Sequence, residues 1–261
     1  MWTVHRRRAE TLRVRYPFAG EVLGLYLALL DVWDDACETA APDPGGLAGW
    51  AAERVLPQVV KATEAAGPQP LAAACRDLLN VAPGLLAGWL AGDELGPVER
   101  YLARASLPAP LVARGTGDPS PRGDRNCPRC GGPPQLSVRA DGGDPLVAGR
   151  RQLACARCGQ HWAYSASACP GCGGAKLTVY AEERDGPIVG RDNEADGDGQ
   201  PATFPHLRIE ACDGCRRYLV DVDLGRDPAA VPEVDELAAL PLDLVAAEHG
   251  LSKITPNLMG V

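Results

Sequence analysis

Aromatic residues are scarce in this chain, and long apolar runs are absent. Only 5% of the 261 residues are aromatic, whereas glycine and proline number 30 and 24. This composition favours short helices, many turns and small hydrophobic cores in at least part of the molecule. The longest apolar run, VLGLYLALL at 22–30, is far shorter than the ~20 residues that a transmembrane helix needs. We therefore expect no insertion into a membrane.

A surplus of positive charge is also missing. The formal net charge is -8 at pH 7, whereas non-specific binding of nucleic acid depends on a basic surface. The segment between Cys127 and Gly174 contains five arginines and two aspartates. This local excess of positive charge leaves a polyanionic partner possible. A solvated surface is the simpler interpretation of that region. Nucleic acid is therefore not the expected partner.

Clear export signals and catalytic motifs are lacking too. RRR at 6–8 could begin a twin-arginine signal, but Arg13 and Arg15 interrupt the following apolar region, and no clean cleavage site follows. We therefore expect a cytoplasmic protein whose cysteines remain thiols. The chain has four histidines and contains no G-x-S-x-G, phosphate-binding glycine loop or H-E-x-x-H. An enzyme is not predicted.

Residues 1–113 have the pattern of a helical domain. From Val22 to Trp33, apolar residues recur at the i, i+3, i+4, i+7 spacing of an amphipathic helix. Pro57 interrupts the next apolar run and predicts a kink or a division there. Short helices with short connections indicate an irregular bundle. The segment 114–126, rich in Gly, Pro, Ser, Asp and Arg, is the predicted linker.

The rest of the chain predicts two small β units and a C-terminal helix. Short segments with strand-like alternation are separated by turns from 127 to 222. Residues 234–250 have a helical pattern, with Asp235 as the predicted N-cap. We divide this part into a first unit at 127–166 and a second at 167–261, which includes the helix.

Eight of the ten cysteines form four C-x-x-C pairs within 127–215. One tight turn of this spacing directs two sulfur atoms at a metal ion, and two such turns complete tetrahedral coordination by four sulfurs. We therefore predict two mononuclear metal sites, each holding iron or zinc, rather than redox disulfides. A site saturated by four thiolates has no position for a substrate, so Lewis-acid catalysis is not expected.

The four pairs can combine in three ways. Sequential combination joins the first pair to the second across 24 residues and the third to the fourth across 39, at the lowest loop-closure cost. Joining the second pair to the third across ten residues leaves the first and fourth to close across 81, and a third arrangement interleaves the sites. We favour the sequential one, in which the ten residues form a tether between the metal units. Its site 1 is Cys127, Cys130, Cys155 and Cys158, and its site 2 is Cys169, Cys172, Cys212 and Cys215.

The residue after each pair indicates the shape of its turn. Gly131, Gly159 and Gly173 suit the positive φ that such a turn often requires, because glycine has no Cβ. Arg216 follows the fourth pair instead. We therefore predict that the fourth turn is strained or differently shaped.

Two histidines lie near the cysteine pairs in the sequence. His161 follows Cys158 by three residues, and His206 precedes Cys212 by six. Neither is in the C-x-x-C register. We interpret each as a strand residue beside a site rather than as a metal ligand.

Several segments around the cysteine pairs carry a family resemblance. They are CPRCGGPP, RQLACARCGQHWAYSASACPGCG and EACDGCRRYLVDVD, followed by VDELAALPLDLVAAEHGL and TPNLMG. In this order they resemble the formate dehydrogenase accessory protein FdhE family. The resemblance covers nearly the whole chain and is most specific in the C-terminal half. One departure is Ala166, four residues after Trp162, where the family tends to have an arginine.

The resemblance implies an α+β fold: an irregular N-terminal helical domain, then two small tandem rubredoxin-like or zinc-ribbon-like β modules and a C-terminal helix. It also implies a cytoplasmic accessory factor that binds the catalytic subunit of formate dehydrogenase and supports its maturation. In the family, iron is the metal reported at these cysteines. Two alternatives remain open: a rubredoxin-like electron-transfer protein, and a zinc-ribbon regulator that binds nucleic acid.

Overall fold

The computed structural model describes most of both halves of the chain. The described residues are 2–38, 46–113, 125–139, 151–175, 177–180 and 203–260. The predicted linker at 114–126 lies outside them except for its last two residues. No helix within the described ranges is long and apolar enough to cross a bilayer.

The first half of the chain is helical, as predicted. Its described helices are α1 Thr3–Arg15, α2 Gly20–Cys37, α3 Leu47–Arg54, α4 Leu56–Ala66, α5 Gln69–Asp77, α6 Ala82–Ala91, α7 Pro97–Ser106 and α8 Pro108–Ala113. Prolines lie in the first turns of α4, α5, α6 and α7, where the missing N–H has no helical partner to lose. Pro57 is one of them, and α3 and α4 meet just before it, which confirms the predicted division.

Helix α2 buries the predicted apolar stripe. Leu23, Tyr26, Leu30 and Trp33 are each at most 3% exposed, and α2 packs against α1, α4 and α8. Trp33 Nε1 also donates a hydrogen bond of 2.7 Å to the carbonyl of Ala105. Burying each large apolar side chain contributes ~1.5–3 kcal/mol. This helix is therefore a main source of stability in the helical half.

One sheet runs through both β modules. Its strands are β1 Pro134–Arg139, β2 Arg151–Cys155, β3 His161–Ala163, β4 Leu177–Tyr180, β5 Leu207–Cys212, β6 Arg217–Asp223 and β7 Ser252–Lys253. The order is β3-β2-β1-β6-β5-β4, and β7 pairs with β6. Strands β1 to β3 pair antiparallel, as do β4 to β6, whereas β7 pairs with β6 in parallel. Strands β1 and β6 also pair in parallel, with Leu136 opposite Val220. The two modules therefore share a continuous hydrogen-bonded backbone.

The cysteine turns of both modules lie at the same end of this sheet. The first cysteine pair precedes β1 and the fourth precedes β6. Because β1 and β6 run in parallel, both strands start at one end. Arg125, just before the first pair, donates a hydrogen bond of 3.1 Å from Nη1 to the carbonyl of Gly171 in the third pair. The turns of the two modules are therefore in direct contact.

The predicted C-terminal helix is divided into α9, Pro232–Ala238, and α10, Leu240–Glu248. Pro241 lies in the first turn of α10 and starts this second helix. The prediction of Asp235 as an N-cap is wrong. Asp235 lies inside α9, is 1% exposed and accepts a hydrogen bond of 2.9 Å from Arg8 Nε of α1.

One hydrophobic cluster joins the helices to the sheet. Leu30 of α2 and Val234 of α9 belong to the same buried cluster as Val138 of β1 and Val220 of β6. Helix α9 packs against both α1 and α2. The helical half and the cysteine-rich half are therefore not independent packing units.

A buried group of ion pairs connects α1 to α9. The guanidinium of Arg8 contacts the carboxylate of Asp235, and its Nη2 donates a hydrogen bond of 2.6 Å to Asp227 Oδ2. His206 Nε2 lies 2.7 Å from Asp235 Oδ1. The Asp235 side chain is 1% exposed and that of Arg8 is 10% exposed. A carboxylate buried this deeply is costly without its cation.

We expect the substitution Arg8→Met to lower the free energy of unfolding by about 3 kcal/mol, because it leaves Asp235 buried without its counter-charge. The measurement is urea denaturation of the metal-loaded chain at pH 7. Arg7→Met is the matched control, since Arg7 is exposed on the same helix, and its effect should stay within about 0.5 kcal/mol. Equal effects of the two substitutions would contradict a stabilising role for the Arg8 cluster.

Candidate metal centres

Site 1 brings the first and second cysteine pairs together. The Sγ atoms of Cys127 and Cys158 are 3.8 Å apart, and those of Cys130 and Cys155 are 3.5 Å apart. All four sulfurs lie within 4.8 Å of one another. Cys127, Cys155 and Cys158 are buried, and Cys130 is partly buried.

Site 2 brings the third and fourth pairs together in the same way. The Sγ atoms of Cys169 and Cys215 are 3.7 Å apart, and those of Cys172 and Cys212 are 3.6 Å apart. All four again lie within 4.8 Å of one another. The sulfurs are thus grouped sequentially, and both groups can hold a metal ion. That all eight cysteines bind metal remains a prediction.

The sulfur spacing fits a tetrahedral metal site. With metal–sulfur bonds of about 2.3 Å, tetrahedral geometry places the sulfurs about 3.8 Å apart. A disulfide would require about 2.05 Å, whereas the four sulfur pairs given above are 3.5–3.8 Å apart. Both groups therefore suit Zn²⁺ or a mononuclear iron ion, which prefer the same thiolate set. The geometry does not distinguish between these metals.

The four cysteine turns share one backbone shape. Gly131, Gly159, Gly173 and Arg216 have φ of 70°, 67°, 80° and 57°. The N–H of each donates a hydrogen bond of 2.7–3.1 Å to the carbonyl of the first cysteine of its turn. Arg216 is the one non-glycine residue with positive φ among those described, a conformation that costs about 1–2 kcal/mol. The predicted strain is confirmed, but the turn keeps the common shape.

Backbone N–H groups also point at the sulfurs. In site 1, the N–H groups of Gly132 and Arg157 lie 3.4 and 3.3 Å from the Sγ atoms of Cys130 and Cys155. In site 2, those of Gly171 and Gly174 lie 3.3 and 3.4 Å from sulfurs of the third pair. Such donors favour the thiolate over the thiol. The turns are therefore built to hold ionised cysteines.

Within each group the thiols have unequal pKa values. Hydrogen bonds with Cys130, Cys155 and Cys158 lower the pKa of Cys127, while the interactions with Cys127, Cys130 and Cys158 raise that of Cys155. Four sulfurs this close cannot all ionise by themselves. A bound cation resolves the conflict, because it deprotonates its ligands.

Site 2 shows the same division. Burial raises the pKa of Cys169 to about 12. Burial also acts to raise the pKa of Cys212, but N–H groups of Cys215 and Gly214 outweigh it, and the pKa falls to about 7. Metal binding at this site therefore releases protons and weakens as the pH falls.

The two nearby histidines stand outside the sulfur groups. His161 lies in β3, and its Nε2 is 3.9 Å from Glu233 Oε1. His206 is buried against Asp235 and, with Asp227, forms a third group of possible ligands. The guanidinium of Arg8 contacts both carboxylates of that group. A cation therefore already occupies the position where a metal would bind.

Arg157 is a site residue that sequence reasoning did not single out. It lies between the two cysteines of the second pair, is 7% exposed, and stacks over Trp89 of α6 at 5.4 Å from the ring centroid. Its Nη1 donates a hydrogen bond of 2.9 Å to the carbonyl of Cys130. It thereby links both turns of site 1 to the helical half. A charged residue inside a C-x-x-C turn was the available signal.

We expect the intact chain to bind two metal ions, and Cys127→Ser or Cys169→Ser to lower this to about one, because each removes one of four ligands. The measurement is elemental analysis of protein purified without oxygen. Since Cys155 shares site 1 with Cys127, adding Cys155→Ser to Cys127→Ser should cost no further metal. Loss of a second metal in that double variant would contradict the sequential grouping. Cys37→Ser is the matched control, because Cys37 lies in α2 away from both groups.

Comparison with known proteins identifies relatives of this chain. Residues 192–259 match a family model described as FdhE, C-terminal domain. A protein from Pseudomonas aeruginosa named Protein FdhE homolog is 35% identical over 133 residues, covering 51% of this chain and 38% of that protein. Proteins of the same name from Aquifex aeolicus and Shewanella oneidensis are 32% and 29% identical, covering 51% and 73% of this chain and 41% and 61% of their own lengths. The chain thus aligns with less than two thirds of each of these relatives.

A solved structure extends the likeness to the whole fold. The crystal structure of the FdhE protein from Pseudomonas aeruginosa superposes with a TM-score of 0.70, covering 100% of this chain and 96% of that one. At 23% identity this match shows a common fold. The predicted α+β architecture is confirmed, and residues 192–259 are similar to the C-terminal domain of FdhE.

Proposed function

We propose that the chain is an accessory factor that binds the catalytic subunit of formate dehydrogenase and supports its maturation. One observation carries the proposal: a chain similar to FdhE in its C-terminal domain has two complete four-cysteine groups. Four thiolates saturate a tetrahedral ion, so neither site would offer a position for a substrate. The metal ions, iron or zinc, then serve to shape a binding surface rather than to catalyse a reaction.

In this proposal, all eight cysteines are ligands, and 127–166 and 167–261 are the two metal modules. Both are presented on one sheet and packed against the helical region 1–113. We place the protein in the cytoplasm, where reducing conditions keep thiols available for metal.

The arginines of the cysteine-rich region support a protein partner over nucleic acid. Arg139 and Arg151 both contact the carboxylate of Glu210, at 2.6 and 2.5 Å. Arg157 is buried against Trp89. Three of the five arginines between Cys127 and Gly174 thus have partners within the chain. A surface that binds phosphates needs basic side chains that are free to contact them.

We expect the tagged, metal-loaded chain to retain the catalytic subunit of formate dehydrogenase when both are produced without oxygen. The double variant Cys127→Ser, Cys169→Ser should lose most of this association, because both modules depend on metal for folding. Cys37→Ser is the control that removes an isolated cysteine and should bind as the parent does. Absence of the subunit from metal-loaded parent protein would argue strongly against the proposal.

Electron transfer by a rubredoxin-like iron is the second candidate. The N–H donors to sulfur favour it, because such hydrogen bonds tune the potential of thiolate-bound iron. It predicts a visible thiolate-to-iron absorption band and a reversible one-electron couple. A colourless, zinc-only protein from iron-replete, oxygen-free cells would exclude electron transfer and leave the accessory role intact.

A further inference from the structure

We propose that the two centres have different tasks: site 1 is a closed structural centre, and site 2 is an open centre at which an external thiolate or chelating ligand exchanges the metal. The inference goes beyond partner binding. It rests on the part of the proposed function that assigns a metal ion to each cysteine group.

The exposure of the cysteines differs between the sites. In site 1, Cys155 and Cys158 are 4% and 6% exposed, and Cys127 is fully buried. Cys155 and Cys158 line a cavity of about 550 Å³, but only these small fractions of their side chains are accessible in it. In site 2, Cys172 is exposed and Cys215 is partly exposed. Site 1 has the partly buried Cys130 but no exposed cysteine. An incoming ligand therefore reaches a sulfur most directly at Cys172 of site 2.

The charges built into the turns differ as well. Four thiolates around a divalent ion carry a net charge of about −2. Between their two cysteines, the turns of site 1 contain Arg129 and Arg157, whereas those of site 2 contain Asp213 and no cation. Arg216 and Arg217, which follow site 2, donate from Nη2 to the carbonyls of His249 and Ile254. Arg125 donates to the carbonyl of Gly171 beside site 2 from outside its turns. The anionic complex is therefore stabilised by arginines inside the turns at site 1, whereas the charge inside the turns of site 2, on Asp213, opposes it.

The packing around the sites points in the same direction. Leu153, Trp162 and Leu219 form a buried cluster with the cysteines of site 1, and Trp89 covers Arg157 from the helical side. Site 2 adjoins β4, the last strand in the sheet order, and its fourth turn holds the strained Arg216. Every approach to site 1 requires opening of a packed region. At site 2, Cys169 and Cys212 are each 1% exposed, but the exposed Cys172 gives a ligand a first point of attack.

The exchange step is a ligand substitution. A sulfur of an incoming thiolate forms a bond to the metal while the bond from the exposed Cys172 Sγ breaks. One thiolate replaces another, so the charge of the complex is unchanged and no electron is transferred. The departing Cys172 side chain is released into solvent as the thiolate. Repetition at the other three sulfurs frees the ion.

We test the proposal with the full zinc-loaded chain and the chromophoric chelator 4-(2-pyridylazo)resorcinol, whose absorbance reports released zinc. We expect two phases of about one zinc per chain each, with rates at least about tenfold apart because one site opens locally and the other does not. Cys169→Ser should remove the fast phase. A single phase for both ions would overturn the proposal, as would a fast phase that survives Cys169→Ser.

Alkylation of the unmodified chain gives an independent assignment that needs no variant to fold. Under limiting iodoacetamide, mass spectrometry should find Cys172 modified before any cysteine of site 1. Earlier modification of site 1 would overturn the assignment. This result is separate from association with the catalytic subunit: binding can persist while both sites react alike, and the reverse can also occur.

Removal of one charge tests whether electrostatics contributes to the difference in exchange rate between the two sites. Asp213→Asn should slow the fast phase about two- to fivefold, the size expected of one exposed charge, and leave the slow phase unchanged. Asp77→Asn is the matched control, because Asp77 is exposed at the end of α5, far along the chain from the C-x-x-C cysteines. A fast phase unchanged by Asp213→Asn would remove charge as a cause of the difference.

Discussion

Crowding of four sulfur atoms is the constraint on which the cysteine-rich half depends. At two places, four Sγ atoms lie within 4.8 Å of one another. Without a cation they must share protons, as the opposite pKa shifts of Cys127 and Cys155 show. A bound metal ion would let all four cysteines ionise and would hold together two turns that are distant in the sequence. The free energy of metal binding would then contribute directly to folding. Because β1 and β6 begin just after such turns, the sulfur groups also set where the sheet starts.

The sheet joins the two cysteine groups into one structural unit. If β1 and β6 did not pair, the sheet would fall into a unit of three strands and a unit of four, each small and with little core of its own. Their parallel pairing places both sulfur groups at one end and leaves the apolar face of β1, β5 and β6 to pack on the helices. The tether predicted between Cys158 and Cys169 contains strand β3 and the Tyr164 hydroxyl, which donates to the carbonyl of Cys169. The tether therefore also belongs to the sheet.

Features that depend on local spacing could be predicted from the sequence, and those that depend on distant partners could not. The C-x-x-C spacing, the stripe of α2 and the break at Pro57 are each set within a few residues. The left-handed turn at Arg216 was also visible, since the other three turns have glycine at that position. By contrast, the local pattern made Asp235 resemble a helix cap. Its actual partner, Arg8, is 227 positions away, so the local pattern could not indicate the buried ion pair. The pairing of β1 with β6 likewise joins residues far apart in the chain. The alternation of apolar residues along a strand does not indicate which other strand it pairs with.

The shared core has a consequence for how this protein can be dissected. A fragment starting near residue 125 would retain every C-x-x-C pair, and by the cysteine pattern it would count as complete. It would nevertheless lack Arg8, the counter-charge of Asp235, and Trp89, the cover of Arg157. It would also expose the sheet face that contains Val138 and Val220. Such a fragment would show how cysteines capture metal, but not the affinity, exchange rate or solubility of the intact molecule.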